Sequence, residues 1–491
     1  MSSTSPAGLW RITLPIGVIG ALLGVAGSWI PSFWGDEAAS VMSASRSWPS
    51  LWGMLQHVDG VHGAYYAFLH VWIGVFGAGE FAVRLPSAIA AGFLAAGTAL
   101  LAGRFGGPRA AVTAGLIACL IPRTVLMAAE GRSYAIGSAI AVWLTVLLVL
   151  LRERPGHRWA WAGYALGVAA SIYVFLYLAL LVAVHGLFVL LLARRRLLPW
   201  AAAAAAGVAL AAPVIVLAAI QRDQIGFLSA RDYLTPLNVL ALQWFDPVTA
   251  WPCLALLVVG VVCAVRDRRI HPAESRLAAL CLIWVALPTG AILLASVTIA
   301  PMYTVRYLSF CTPAAAILVA LGVLAIARAA RRLLGVRTST ATGVLLAVLL
   351  ASFVPNAIVQ RMPFAKDDSD GREAAAYLQT HARAGSAVVF DDRPKNSEQP
   401  RLFAATYPHA FRGLRDPALL VSFRERTGLW DRTRPNAALG VADLGPDVWA
   451  LERGASPSAS PDVRHLESLG YRVVETHRVH VTTILHLTLD S

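Results

Sequence analysis

The chain has 491 residues, 57% of them hydrophobic and only 14% charged, with a formal net charge of +13. An apolar excess of that size over such a length excludes a soluble globular domain and a disordered chain, and predicts a polytopic membrane protein. The positive charge is nearly all arginine, dispersed in short segments between apolar runs rather than gathered on one face, which excludes a nucleic-acid partner.

A run of about 20 apolar residues spans a bilayer. The first such run, residues 9–30, is long and is not followed by a small-residue cleavage site, so it is predicted to stay in the membrane. The loop 31–80 comes next and opens with SFWGDEAAS, where Asp36 and Glu37 stand side by side. Adjacent carboxylates point in different directions and cannot share one task. Two readings stay open: a general base within reach of an acceptor hydroxyl, or an acidic cap on an interfacial helix with Gly35 as the turn. Position alone favours the cap. The stretches SASRSWPSLWGMLQHV and AYYAFLHVWIGVF space apolar and aromatic residues as interfacial helices do, and such helices would roof a cavity at the outer leaflet. Between them DGVHGAYY supplies Asp59, His62, Tyr65 and Tyr66, which suit a sugar ring or a headgroup, or are ordinary interfacial aromatics beside a surface histidine. Asp59 and His62 alone are too few ligands to indicate a divalent metal.

Spans follow at 81–103 and 108–126, with Arg84 expected to pair with Glu80 one turn earlier. Before the next span, 133–151, AAEGRSYAI places Glu130, Arg132 and Tyr134 in a very short outer loop. Arg132 pairs with Glu130 for structure or offers its planar guanidinium to a phosphate. Residues 159–193 exceed one crossing and are divided at YVFLY into 159–175 and 177–193. Runs at 197–219, 248–265, 277–298, 307–328 and 340–360 complete eleven spans. In PMYTVRYLSF, ahead of the tenth, stand Tyr303, Arg306 and Tyr307. An outer arginine is either a phosphate ligand or a side chain snorkelling to the interface. The five cysteines show no close pair at metal or redox spacing and read as apolar fillers.

Arginines at 104 and 109, at 152, 154 and 158, at 194–196, at 266, 268, 269 and 276, and at 328, 331, 332 and 337 mark cytoplasmic segments. The amino terminus is then inside, and residues 36–80, 221–247, 299–306 and everything after 360 are outside. Of the 28 acids, seventeen follow residue 360, where helix signals (KDDSDGREAAAYLQTHARAG, HLESLGYRV) alternate with strand signals (SAVVFDD, DVWALE, VTTILHLTL) around a Ser/Pro-rich loop, RGASPSASPD. The expectation is an all-α polytopic membrane domain over 1–360, including the loop 31–80, and a small extracytoplasmic α/β domain over 361–491.

WGDEAAS, DGVHGAYYAFLHVWIGVFGAGEFAVRLPSAIAAG, EGRSYAI and YTVRYLSF together resemble the C-type (GT-C) integral-membrane glycosyltransferases, in the branch of the protein O-mannosyltransferases and the lipid A aminoarabinose transferase, and look like its actinobacterial mannosyltransferase-like members. The resemblance covers roughly residues 10–370. It implies a polyprenyl-phosphate sugar as donor, with mannose the first choice, inverting transfer on the outer face of the plasma membrane, and a cell-envelope glycan, lipid or protein as acceptor. It makes Asp36 the base and Glu37 its helper, sets Arg132 and Arg306 on the lipid phosphate, and lines the donor site with Tyr303 and Tyr307. Departures are visible: His62 is followed by Gly63 and Ala64 where many relatives read Pro-Pro, and SIYVFLYLAL offers Tyr173, Phe175 and Tyr177 where relatives carry a histidine. No nucleotide is required outside the cell, and a divalent metal stays open as a cofactor without being indicated by the residues.

A flippase that moves a lipid-linked sugar without breaking a bond is the alternative. It too needs phosphate sites and many spans, but ionisable residues are sparse inside the runs and no inverted repeat is evident. A non-catalytic envelope assembly factor is the third reading.

Overall fold

The computed structural model describes residues 6–153, 158–230, 233–454 and 460–490. Arg154 and the centre of the Ser/Pro-rich loop lie outside the described residues. All eleven apolar runs fall on helices: α1 Pro6–Val25, α5 Glu80–Leu120, α7 Tyr134–Glu153, α8 Arg158–Val174, α9 Ala179–Leu192, α10 Leu197–Leu210, α11 Ala212–Ile220, α12 Ala250–Arg266, α13 Pro272–Thr298, α14 Thr312–Leu334 and α15 Thr338–Val359, with the short α6 Pro122–Ala128 between α5 and α7. Among the described residues six helical segments are long and apolar enough to cross a membrane, and α10 with α11, bent by 52°, adds a seventh if the pair is one span. Three shorter apolar helices, Trp159–Val174, Leu176–Leu192 and Ala250–Arg266, accompany them. The protein is a multi-pass membrane protein.

The 41-residue α5 takes in two of the predicted spans, and Gly107, at a positive φ of 74° that glycine alone adopts cheaply, breaks it where the sequence analysis separates them. Phe175, extended between α8 and the turn that leads into α9, likewise divides residues 159–193 into two helices. Small residues bring helices close: a Cβ at Gly260 on α12 would stand 2.5 Å from the Leu318 carbonyl oxygen of α14. Close backbone approach of this kind is how helices associate where lipid removes the hydrophobic drive.

Two compact units make up the chain. The first is Met1–Ser28, Gly60–Tyr65 and Arg84–Val359; the second is Trp29–Asp59, Tyr66–Val83 and Gln360–Ser491. The second unit thus joins most of the first loop to the C-terminal residues. The loop contributes α2 Gly35–Ala44, α3 Trp48–Leu55 and α4 Gly63–Phe76. Ser47 caps α3 by accepting from the Ser50 amide, with Pro49 in its first turn, as the sequence pattern dictates.

The C-terminal part is a four-stranded sheet in the order β1-β4-β6-β5, formed by β1 Ala387–Phe390, β4 Asp447–Arg453, β5 Tyr471–Arg478 and β6 Thr482–Leu489. β1 pairs parallel to β4, and the other pairings are antiparallel. Alternate residues face opposite layers. Val389, Val448, Ala450 and Leu485 pack with Val463 and Leu466 of α19 (Pro461–Ser468). Val388, Trp449, Leu451 and Ile484 pack on the other face with Leu378 of α16 (Gly371–His381) and Phe403 of α17 (Arg401–Thr406). The crossover from β1 to β4 also carries the two-stranded pair β2 Leu419–Val421 and β3 Arg432–Thr433, and the single turn α18 Val441–Leu444.

Polar contacts fasten the loop to this domain. Arg46 is buried and donates to the carbonyl oxygens of Arg426 at 2.7 Å, Gly428 at 2.6 Å and Leu429 at 3.3 Å. Burial pulls its guanidinium down to about 10, so it stays charged at neutral pH. Tyr407 accepts from the Phe33 amide at 3.0 Å and donates to Glu80 at 2.9 Å; Ser32 donates to Glu373 at 2.8 Å; Arg372 donates to the Trp29 carbonyl at 2.7 Å and to that of Ile30. Ala38 and Met42 of α2 pack on Leu402 and Phe423.

Candidate active site

In the second unit, α2 starts at Gly35, and Asp36 and Glu37 occupy its first turn, where the positive end of the helix favours anionic side chains. Neither is the cap. That position belongs to Trp34, whose side chain makes no capping bond, so the two acids stand just inside the start of the helix. The two carboxylates differ in exposure: Glu37 is fully buried, whereas Asp36 is only half-buried and keeps the access that a base needs. Gly35 is favoured for a different reason from the turn predicted. A Cβ there would collide with the Ser397 carbonyl oxygen and lie 3.0 Å from Ser397 Cβ, so the segment Asn396–Glu398 sits directly on the start of α2. In the same unit Asp59, at φ 57°, accepts from the Tyr66 hydroxyl at 2.8 Å, and Tyr66 is fully buried.

The first unit gathers residues from four separate segments. Arg132 and Glu130 are both buried, and Arg132 Nη2 lies 3.3 Å from His62 Nε2. Ser87 of α5 holds the short loop by donating to the carbonyl oxygens of Glu130 at 2.5 Å and Arg132 at 3.2 Å. Arg123 of α6 lies near Glu130, Tyr134, Tyr303 and Arg306. It is anchored by donating to the carbonyl oxygens of Gln243 at 2.7 Å and Leu242 at 2.6 Å. Tyr307 packs on Tyr177 with ring centroids 4.7 Å apart and the rings tilted by 31°, and Phe175 touches Tyr134, Tyr177 and Tyr307 edge-on or tilted. Tyr303 is buried, and its hydroxyl has no hydrogen-bond partner among the described residues. A buried unpartnered hydroxyl is costly, which marks the spot as one for a polar ligand. Tyr65 is buried as well.

Arg84 donates to the Ser28 carbonyl at 2.6 Å, and Glu80 is held in the second unit by Tyr407 at 2.9 Å and Arg372 at 3.7 Å. Sequence reasoning passed over Arg123, hidden inside an apolar run; an ionisable group at such a position is by itself a signal. It also overlooked His185 on α9, which is buried with Thr145 Oγ1 2.9 Å from Nε2 and Tyr164 Oη 2.8 Å from Nδ1, both ring nitrogens engaged. Among the described residues the group with three metal-type ligands close together is Asp391, Asp392 and Asp462, within 4.8 Å of one another at the carboxyl end of β1. Arg393 already bonds Asp391 there at 2.7 Å and Glu452 at 3.2 Å. The cysteines are all free, and every one except Cys263 is buried.

No protein-family model matches the chain, and no curated protein matches it in sequence. Solved structures do match in fold. ArnT from Cupriavidus metallidurans in the apo state aligns over 98% of this chain and 98% of its own, with a TM-score of 0.60 at 13% identity. Its complex with undecaprenyl phosphate gives the same TM-score over 97% of this chain and 98% of its own, again at 13% identity. The oligosaccharyltransferase of Archaeoglobus fulgidus, solved with zinc and sulfate, aligns over 89% of this chain and 67% of its own, with a TM-score of 0.52 at 11% identity. The chain therefore has the GT-C fold that these membrane glycosyltransferases share.

Proposed function

We propose that the protein is an inverting glycosyltransferase that moves a sugar, mannose by preference, from a polyprenyl-phosphate donor to a cell-envelope acceptor on the outer face of the membrane. The observation that carries this reading is that Arg123 lies near both Arg306 and Tyr303, drawn from distant segments, and that the buried Tyr303 hydroxyl has no hydrogen-bond partner among the described residues. ArnT, which shares the fold, has been solved with undecaprenyl phosphate.

In the proposed reaction the acceptor oxygen attacks the anomeric carbon as the bond to the phosphate oxygen breaks. The electron pair leaves on the phosphate, and the hydroxyl proton passes to the Asp36 carboxylate. Arg132 and Arg306 meet the charge that grows on the phosphate, so they stabilise the transition state more than the ground state. Arg123 steadies that group, Tyr303 and Tyr307 line the donor, His62 orients Arg132, and Glu37 fixes the first turn of α2. Asp59, Tyr65, Tyr66, Glu130 and Tyr134 belong to the substrate-binding surface. In this reading the amino terminus is cytoplasmic and the C-terminal domain extracytoplasmic.

Asp36→Asn, expressed at the normal level, tests it: transfer from a lipid-linked donor should fall by about 10²–10⁴-fold, the usual contribution of a general base. Full activity would remove Asp36 from the chemistry. Purified protein in detergent, given donor and envelope acceptor, should form product; a flippase would form none without a membrane to cross.

A further inference from the structure

The second unit contains a cavity of about 400 Å³ that none of the chemistry above uses. Its walls carry Trp430, Arg401, Asp431, Asp392, Asn396 and Gln399, and Met42 of α2 closes one side. The volume lies in the range of about 300–1,000 Å³ typical of small-ligand sites. Its lining is unusual for one. An indole stands among two carboxylates, two carboxamides and a guanidinium, so donors and acceptors are interleaved with aromatic surface.

That composition selects its ligand. A lipid chain would strand the polar groups. A phosphate would meet Asp392 and Asp431 as well as Arg401, and like charges repel it. A saccharide presents a C–H face to an aromatic ring and a rim of hydroxyls that donate and accept at once, which is the pattern this wall can satisfy.

The polar groups are held in place before any ligand arrives. Arg401 is fixed by a two-pronged pair with Asp416 and lies 4.8 Å over the Phe390 ring. Asp431 Oδ1 accepts from the Phe423 amide at 2.7 Å, and Gln399 Nε2 donates to the carbonyl oxygens of Asp392 at 3.2 Å and Pro394 at 3.1 Å. Asp431 Oδ2, the Gln399 carbonyl oxygen, the Asn396 amide and the Trp430 indole N–H make no hydrogen bond to protein among the described residues and belong to residues that are exposed or half-buried, so each is open to a ligand.

We infer that this cleft binds a neutral oligosaccharide, the glycan of the acceptor. The word acceptor rests on the transferase reading; the binding does not. Met42 and Asp36 belong to the same helix, six positions or about 9 Å of axial rise apart, and Asn396 belongs to the segment seated on Gly35. A glycan of a few sugar units held in the cleft therefore lies beside the helix that bears the candidate base.

The test uses full-length protein in detergent on an array of short neutral and sulfated oligosaccharides. Wild type should retain neutral oligosaccharides. Trp430→Ala should weaken retention about tenfold, the size of one aromatic stacking contact, while Trp430→Phe keeps it. Because Trp430 also packs against the cluster around Met42, Asn396→Trp provides a second blocking variant that adds bulk at an exposed rim without removing packing, and it should lose retention as well. Asp36→Asn should bind like wild type even where it transfers nothing, so loss of the transferase reading and loss of the cleft show up separately. Retention of sulfated sugars alone, no retention by wild type, or unaltered retention by both blocking variants would each overturn the inference.

Discussion

Gly35→Ala separates stability from catalysis in a way the packing makes quantitative. The added Cβ would stand against the Ser397 backbone, 3.0 Å from its Cβ and 3.1 Å from its carbonyl carbon, and inside the contact distance of its oxygen. Backbone cannot rotate out of the way as a side-chain tip can, so the segment Asn396–Glu398 and the first turn of α2 must part by about 1 Å. Overpacking of that order costs about 1–3 kcal/mol, and the replacement of a helical glycine returns about 0.5–1 kcal/mol. The net loss is small enough for the protein to stay folded. Asp36 is the next residue, however, and a displacement of about 1 Å in a reacting group lowers rates by up to about 10²-fold. Transfer of label from a lipid-linked donor into envelope material should thus fall far more than the melting temperature does. Gly290→Ala is the control: a Cβ there meets nothing within 4 Å on α13, so it should stabilise slightly and leave transfer intact. Normal transfer by Gly35→Ala, matching Gly290→Ala, would refute the idea that the C-terminal segment sets the position of Asp36.

Removing the Arg46 guanidinium leaves three carbonyl oxygens without their charged donor, so Arg46→Ala should cost about 3 kcal/mol and expose residues 424–430 to proteolysis; an unchanged melting curve would count against the clasp. Burial, reinforced by the charges of Asp391 and Asp462 and opposed by Ser460 and Arg393, lifts the Glu452 carboxyl from 4.5 to about 7. Between those values the folded chain holds a proton that the unfolded chain has released, so stability falls as pH rises through the window and levels off above it, by about 3 kcal/mol for this group. Glu452→Gln should flatten that slope in melting temperatures taken from pH 5 to pH 8, and a slope unchanged from wild type would assign the dependence elsewhere.

Much of this architecture is legible in the chain because its signals are local. Apolar runs of bilayer length give the helices, and YVFLY marks the break between α8 and α9. The pairings are another matter. Ser32 with Glu373 and Phe33 with Tyr407 are more than 300 residues apart, and no period or spacing reports a contact between a loop and a domain so distant in sequence. Arg123 was masked by the very apolarity that identified its segment. The residues of the first unit were each visible singly as polar groups at apolar borders; that Glu130, Tyr134, Tyr303 and Arg306 surround one arginine is a consequence of tertiary folding alone.

The clasp around Arg46, Arg372 and Tyr407 bears on protein engineering. Anyone wishing to trade specificities between homologues would be tempted to cut at residue 360 and exchange the tail. Such a chimera would set the retained Arg46 against the carbonyls of a foreign tail, and that tail's counterpart of Arg372 against the carbonyls of a foreign loop. The natural cassette is discontinuous, 29–59 and 66–83 together with 360–491, and moves as one piece or fails.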